Sequence, residues 1–151
     1  MDITPRKLNA FMIFKLPAAY FCGIRTKYID TNKCIVTVRY KWINKNPFKS
    51  MFWAVQGMAA EFSTGALMVS KIKASGKHIS MLVTSNKATF TKKAVGRITF
   101  TCYDGKDIEE AIKKAIETGE GQTIWVKSIG VNEEELEVSS FNFEWSIKVK
   151  G

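Results

Sequence analysis

The sequence predicts an α+β domain: a curved antiparallel sheet of about six strands wrapped around one long buried helix. Three observations carry this. Six segments are rich in β-branched and aromatic residues, and several alternate apolar with polar positions. Segment 51–72 is apolar nearly all round, and such a helix must be enclosed. Segment 107–118 has one apolar stripe and needs only one apolar neighbour.

The elements follow in order. The N-terminus is basic and then apolar, like a signal peptide, but Lys15 and Pro17 interrupt the run and no small-residue cleavage site follows. An amphipathic helix ending near Leu16 is expected there. A strand over 23–29 comes next. In 34–42, Val36, Val38, Tyr40 and Trp42 share one face, with Thr37, Arg39 and Lys41 on the other. The Asn, Pro and Ser content of 44–50 marks a loop, and Ser50 is the expected N-cap of the central helix. That helix runs to about Ile72, ahead of Gly76.

Four strands complete the sheet, over 78–85 with an unclear continuation to 90, 95–103, 123–129 and 136–149. In the second of these, Ile98, Phe100 and Cys102 share a side. In the last of them Phe141, Phe143, Trp145, Ile147 and Val149 share a face. The second long helix lies between 107 and 118. Asp107 and Glu110 have capping-box spacing, Ile108, Ala111, Ile112, Ala115 and Ile116 form its stripe, and Gly119 ends it.

Composition sets the bounds. The 151 residues, 46% hydrophobic and 12% aromatic, are those of a single folded domain over 1–151 and exclude disorder. Cys22, Cys34 and Cys102 are odd in number and widely spaced, and His78 is the one histidine, so no metal site is expected. Free cysteines suit a reducing cytoplasm. The 51–69 run is nearly long enough for a bilayer, but a carboxylate at its centre, Glu61, would cost about 2.5–3.5 kcal/mol there. No membrane contact is expected. A net charge of +9 raises nucleic acid as a partner, but the aromatics lie on apolar strand faces and no RNA- or DNA-binding signature is present. No nucleic-acid partner is expected.

Glu61 is the outlier. A carboxylate in an apolar buried helix is costly unless paired or protonated. Gly57 and Met58 precede it by one turn, and Thr64 and Gly65 follow it by one turn. The glycines leave open space beside the carboxylate, or serve only close helix–sheet packing. A structural glutamate that caps a loop or pairs across an interface is the competing reading, although no basic residue lies within helical reach.

The segment from Asn46 to Glu61 resembles the signature of hotdog-fold acyl-CoA thioesterases of the phenylacetate-pathway type. In that family an asparagine before the central helix precedes a helical acid by fifteen positions, as Asn46 precedes Glu61. The family's His-Gly-Gly at the helix start is here Phe52, Trp53 and Ala54, and its glycine three after the asparagine is Lys49. The order of elements is the hotdog order throughout. The chain looks most like a divergent branch of uncharacterised thioesterase-like proteins, with Ala-Glu-Phe-Ser-Thr-Gly-Ala in the helix.

The resemblance implies hydrolysis of acyl-CoA thioesters by a homodimer or dimer of dimers, with coenzyme A as part of the substrate and no other cofactor. Glu61 would be general base or nucleophile, and Asn46 would position water or substrate. Backbone N–H groups around Trp53 and Ala54 would polarise the carbonyl. Phe52 and Trp53 either shape or close the thioester channel. Phe52, Gly57, Met58, Thr64 and Gly65 would line the substrate. Lys92 and Lys93 with Arg97, or Lys71, Lys73 and Lys77, would meet the phosphates. A hotdog dehydratase would want a histidine near the acid, and His78 lies well past the helix. A non-catalytic acyl-CoA or lipid-binding protein is the runner-up, kept alive by the replaced His-Gly-Gly.

Overall fold

A computed structural model describes residues 2–151. Two short helices open the chain, α1 (Pro5–Lys15) and α2 (Pro17–Phe21), each with proline in its first turn. Strands β1 (Arg25–Ile29) and β2 (Cys34–Arg39) form a hairpin. The central helix α3 (Trp53–Ser75) follows, then β3 (Ile79–Phe90), β4 (Arg97–Cys102), α4 (Gly105–Thr118), β5 (Gln122–Val131) and β6 (Glu137–Val149). All six strands join one antiparallel sheet in the order β1-β2-β4-β5-β6-β3. The sheet curves around α3 in the hotdog arrangement, as its sequence pattern predicts.

The core lies between α3 and the inner sheet face. Val36, Val38, Ile98, Phe100 and Cys102 are almost fully buried, and so are Phe141 and Ile147. The expected alternation of β6 is therefore realised. The lock between α3 and β6 is specific. A Cβ on Gly57 would sit 3.5 Å from the Phe141 ring, and one on Gly65 would sit 3.5 Å from the Trp145 ring. The glycines are eight residues apart, about 12 Å along a helix. The rings are four residues apart, about 13 Å along a strand. The two spacings match, so each glycine opens a place for one ring. Close packing is what these glycines serve.

Several expectations are corrected. Trp42 is 79% exposed, because β2 ends at Arg39 and a short 3-10 turn over Trp42–Asn44 swings the side chain out. Ser50 does not cap α3; its hydroxyl is held by Asn46, and the helix starts three residues later with Phe52 at a cap position that has no side-chain bond. At its other end α3 runs past Ile72 to Ser75, and Gly76 closes it at φ 70°. The uncertain stretch after Ser85 is strand, with a bulge between Val83 and Ser85 where β3 pairs with β6. Helix α4 starts at Gly105, so Asp107 lies within its first turn and the capping box does not form; the carboxylate of Asp104 accepts from the Lys127 N–H at 2.8 Å instead. Gly105 is obligatory there, since a Cβ would stand 2.2 Å from the Thr31 carbonyl.

The Gly57 contact generates a prediction. The added methyl of Gly57→Ala meets Phe141 at ordinary van der Waals distance. Alanine gains about 1 kcal/mol of helix propensity over glycine. The expected result is a rise in Tm of about 2–4 °C by calorimetry. A fall would mean that the ring cannot share its place.

Candidate active site

Polar residues inside α3 locate the site by contrast. Gln56, Ser63 and Thr64 are buried, and each has a partner on the sheet. Gln56 Oε1 accepts from Ser139 Oγ at 2.8 Å. The Ser63 and Ser128 hydroxyls lie 2.7 Å apart. Thr64 Oγ1 accepts from Trp145 Nε1 at 3.0 Å and donates to the Glu61 carbonyl at 2.8 Å. These bonds offset the cost of burying polar groups. Thr64 is therefore committed to the helix–sheet joint.

Glu61 differs from all three. Its carboxylate makes no hydrogen bond or ion pair among the described residues. It is not enclosed, as the sequence pattern suggests, but exposed. It belongs to the stripe Trp53, Gly57, Glu61, Gly65, Val69 and Lys73, which recurs every four residues along α3; the two glycines are half-buried against β6 and the other four are exposed. Its flanks are nonetheless apolar. Two cavities meet at it, of 290 and 240 Å3, and both are bordered by Leu16, Glu61 and Phe62. Desolvation by these neighbours raises the Glu61 pKa above the ordinary value of 4.5.

The other candidate residues are dispersed. Gly65 borders the larger cavity and Met58 the smaller. Asn46 lies apart, in a pocket with Tyr40, Lys45, Pro47 and Lys49. Its amide is saturated by its own loop. Nδ2 donates to Ser50 Oγ at 3.0 Å and to the Met51 carbonyl at 3.3 Å, while Oδ1 accepts from the Phe48 N–H at 2.8 Å. In the same loop Lys49 takes φ 62°, the left-handed region that glycine favours. The residue that replaces the family's glycine thus holds a glycine-like backbone.

Phe52 and Trp53 are 46% and 55% exposed and stack edge to face at 6.2 Å. The Trp53 and Ala54 N–H groups have no partner among the described residues, whereas the Met51 and Phe52 N–H groups bond to Ala94 and Asn44. These free donors lie two turns from Glu61, about 12 Å along the axis. One chain does not bring donor pair, amide and carboxylate together.

Of the basic clusters, Lys71 is spent. It is 9% exposed and bonds Glu109 at 2.7 Å, which ties α3 to α4. Lys92 and Lys93 line a separate pocket with Val95 and Glu133, and Lys93 Nζ donates to the Phe48 carbonyl at 3.0 Å. The lysines that do border the Glu61 cavities are Lys7, Lys73 and Lys15. Lys73 is one of the lysines that the sequence offers for phosphate contact, and it stands twelve residues from Glu61 on α3. Nothing in the sequence pointed to Lys7 or Lys15, which arrive by folding.

Other chemistry has little to work with. Cys34 and Cys102 face each other across β2 and β4, fully buried, and burial pushes both thiols up to about 12. They are not nucleophiles at neutral pH. His78 is exposed just ahead of β3. Among the described residues no group of three His, Cys, Asp or Glu is placed to hold a metal, and no helix is long and apolar enough to cross a membrane.

A family model described as a domain of unknown function, DUF4442, matches residues 5–147. The chain belongs to the DUF4442 family. No curated protein matches its sequence. Solved structures resemble it closely in fold. PA5026 of Pseudomonas aeruginosa, described as a protein of unknown function and probable thioesterase, has a TM-score of 0.86 at 16% identity, with 99% of each chain covered. Thioesterase HI1161 of Haemophilus influenzae has a TM-score of 0.74 at 13% identity, covering 99% of this chain and 93% of its own. The PaaI protein of the E. coli phenylacetic acid degradation operon has a TM-score of 0.62 at 15% identity, covering 93% and 96%. These likenesses place this DUF4442 chain in the hotdog fold.

The saturated amide of Asn46 generates a prediction. Asn46→Ala leaves buried loop groups without partners, at a cost of roughly 1–3 kcal/mol. The urea midpoint is expected to fall accordingly. An unchanged midpoint would show that the loop does not depend on this amide.

Proposed function

We propose that this chain hydrolyses acyl-CoA thioesters to a free acid and coenzyme A. The observation that carries the reading is Glu61: an unpartnered carboxylate, its pKa raised, standing where two apolar cavities meet. Every buried polar neighbour on α3 has a structural partner, whereas Glu61, exposed on one side, has none. The shared fold with proteins described as thioesterases supports the same reading.

The chemistry follows from the carboxylate. Water attacks the thioester carbonyl carbon, and Glu61 takes the water's proton as the C–O bond forms. The tetrahedral intermediate carries its charge on the former carbonyl oxygen. Collapse reforms the C=O bond and breaks the C–S bond. The leaving sulfur takes the proton from Glu61, so the products are acid and thiol. A raised pKa makes Glu61 a stronger base near neutral pH. Backbone donors at a helix start are suited to the developing oxyanion, each worth roughly 3–4 kcal/mol when aligned. Because the Trp53 and Ala54 donors are two turns away, those of a second copy are the ones to serve Glu61.

The active unit on this reading is a homodimer or a dimer of dimers. Strand β3 supports it. It is an edge strand of twelve residues with one charge, Lys87, and no proline, and Leu82 is 65% exposed on it. Bare edges of this length are normally blunted by charge or covered. Light scattering is expected to give a multiple of the chain mass, and Leu82→Lys to shift it toward the monomer. A monomeric wild type would remove the second copy from the mechanism.

A non-catalytic acyl-CoA or lipid-binding protein is the second reading. The engagement of Asn46 within its own loop favours it. One assay separates the two: thiol release from short, long and aromatic acyl-CoAs, wild type beside Glu61→Gln. The variant is expected to lose roughly 10²–10⁴ in kcat/KM. Because the base must be ionised, activity falls as pH drops through the Glu61 pKa, and that acid limb is expected above 4.5. Equal rates for wild type and Glu61→Gln would exclude Glu61 as the base. Binding without thiol release would establish the second reading.

A further inference from the structure

We propose that the substrate divides at Glu61, with a linear acyl chain lying in the groove between α1 and α3 and the thiol-bearing arm of the carrier in the smaller pocket under the α1–α2 bend. This rests on the acyl-thioester reading above and assigns the halves of that substrate to parts of the protein.

The larger cavity is a slot rather than a chamber. Along α3 it follows the stripe from Glu61 to Lys73, twelve residues or about 18 Å. Leu8 and Phe11 of α1 form the opposite wall, and Met81 and Trp145 of the sheet form the floor. Leu16, at the end of α1, borders both cavities beside Glu61. The other ends of the two helices, with Lys7 and Lys73, therefore close the slot away from the carboxylate. Lys7 Nζ is engaged by the Asp2 carbonyl at 2.9 Å. The lysine stems extend the apolar walls and their ammonium groups reach water.

An occupant must match this shape. At 290 Å3 the slot is at the small end of small-molecule sites, about 300–1,000 Å3, and too slight for a helix about 10–12 Å across. It is elongated and apolar along most of its length, with Glu61 at one end and Asp2, Lys7 and Lys73 as its other charged residues. A straight hydrocarbon chain bearing a terminal carbonyl has the same distribution. The second cavity, 240 Å3, starts from the same carboxylate and turns the other way, beneath Pro17 and Ala18 and beside Met58, with Lys15 at its edge. Leu16 and Phe62 border both. A thioester is the bond that would lie at this division.

The bend that creates the division is written in the chain. Lys15 ends α1, Leu16 leaves helical geometry at φ −137° and ψ 60°, and Pro17 starts α2. A proline disfavours helical geometry in the residue before it, which is Leu16.

The test fills each arm in turn. Val69 is 37% exposed and two turns from Glu61, so Val69→Trp narrows the slot with little effect on folding. The tetradecanoyl-to-butanoyl ratio of kcat/KM is expected to fall at least about tenfold. Phe11→Ala, at a half-exposed position, is the second variant and is expected to move the ratio the same way. Ala18→Trp is expected to weaken inhibition by free coenzyme A while leaving the chain-length ratio alone. Equal losses for both chain lengths in Val69→Trp, or no change in the ratio, would overturn the assignment. Tetradecanoate binding by calorimetry reads the slot without catalysis. If the wild type hydrolyses nothing, yet binds tetradecanoate and Val69→Trp binds it at least about tenfold more weakly, the thioesterase reading fails and the slot stands. If Val69→Trp binds tetradecanoate as tightly as the wild type, the slot assignment fails whatever the enzyme does.

Discussion

The fit of α3 against β6 is the constraint on which the rest depends. Two glycines spaced at about 12 Å accept two aromatic rings spaced at about 13 Å, which fixes both the closeness and the register of helix and strand. Once that register is set, Thr64 meets the Trp145 indole and Gln56 meets Ser139. A shift of one residue along β6 would turn its rings away from the helix. The same register determines which residues of α3 stay outside. The stripe through Glu61 touches β6 at its two glycines and stays open to solvent at Trp53, Glu61, Val69 and Lys73.

That geometry explains how an acid is tolerated here. A fully enclosed, unpaired carboxylate would be unaffordable as an anion and would remain protonated. Glu61 has one side toward water and apolar walls on its flanks. Its pKa is raised, yet solvent reaches it. Such a group can exchange a proton and is also within reach of water. The buried polar residues around it are held by sheet partners and are not available for chemistry.

Much of the fold was legible because it follows from periodicity. Alternation marked β2, β4 and β6, and the length and apolarity of α3 demanded a sheet around it. Glu61 was legible because a carboxylate in such a helix is rare. What was not legible depends on contacts between distant residues. Trp42 continues an alternating pattern, but the chain turns at Arg39. Ser50 has the residue type of a cap, but Asn46 claims its hydroxyl. Asp107 has capping spacing, yet the helix begins two residues earlier, at Gly105, where only glycine fits against the Thr31 carbonyl. The helix α1 is legible in the sequence, but its place as a groove wall is not. A short helix of apolar and basic residues does not announce which neighbour it will stand beside, or that it will stand apart from it.

The distances along α3 bear on assembly. A carbonyl polarised by the first-turn donors at Trp53 and Ala54 would be about 12 Å from Glu61 of the same chain, too far for water held by that carboxylate to attack it. Either the oxyanion is stabilised by other groups, or the donors come from another copy. The surface favours the second. Phe52 and Trp53 leave aromatic area in water at the helix start, and β3 leaves a long, nearly uncharged edge with Leu82 outward. Exposed apolar area of this kind is characteristic of surfaces that become covered. A two-fold partner would cover the same patch on both copies at once. On that arrangement, the bulky residues that replace the family's His-Gly at the helix start become part of an interface wall, and their size need not close the path to Glu61.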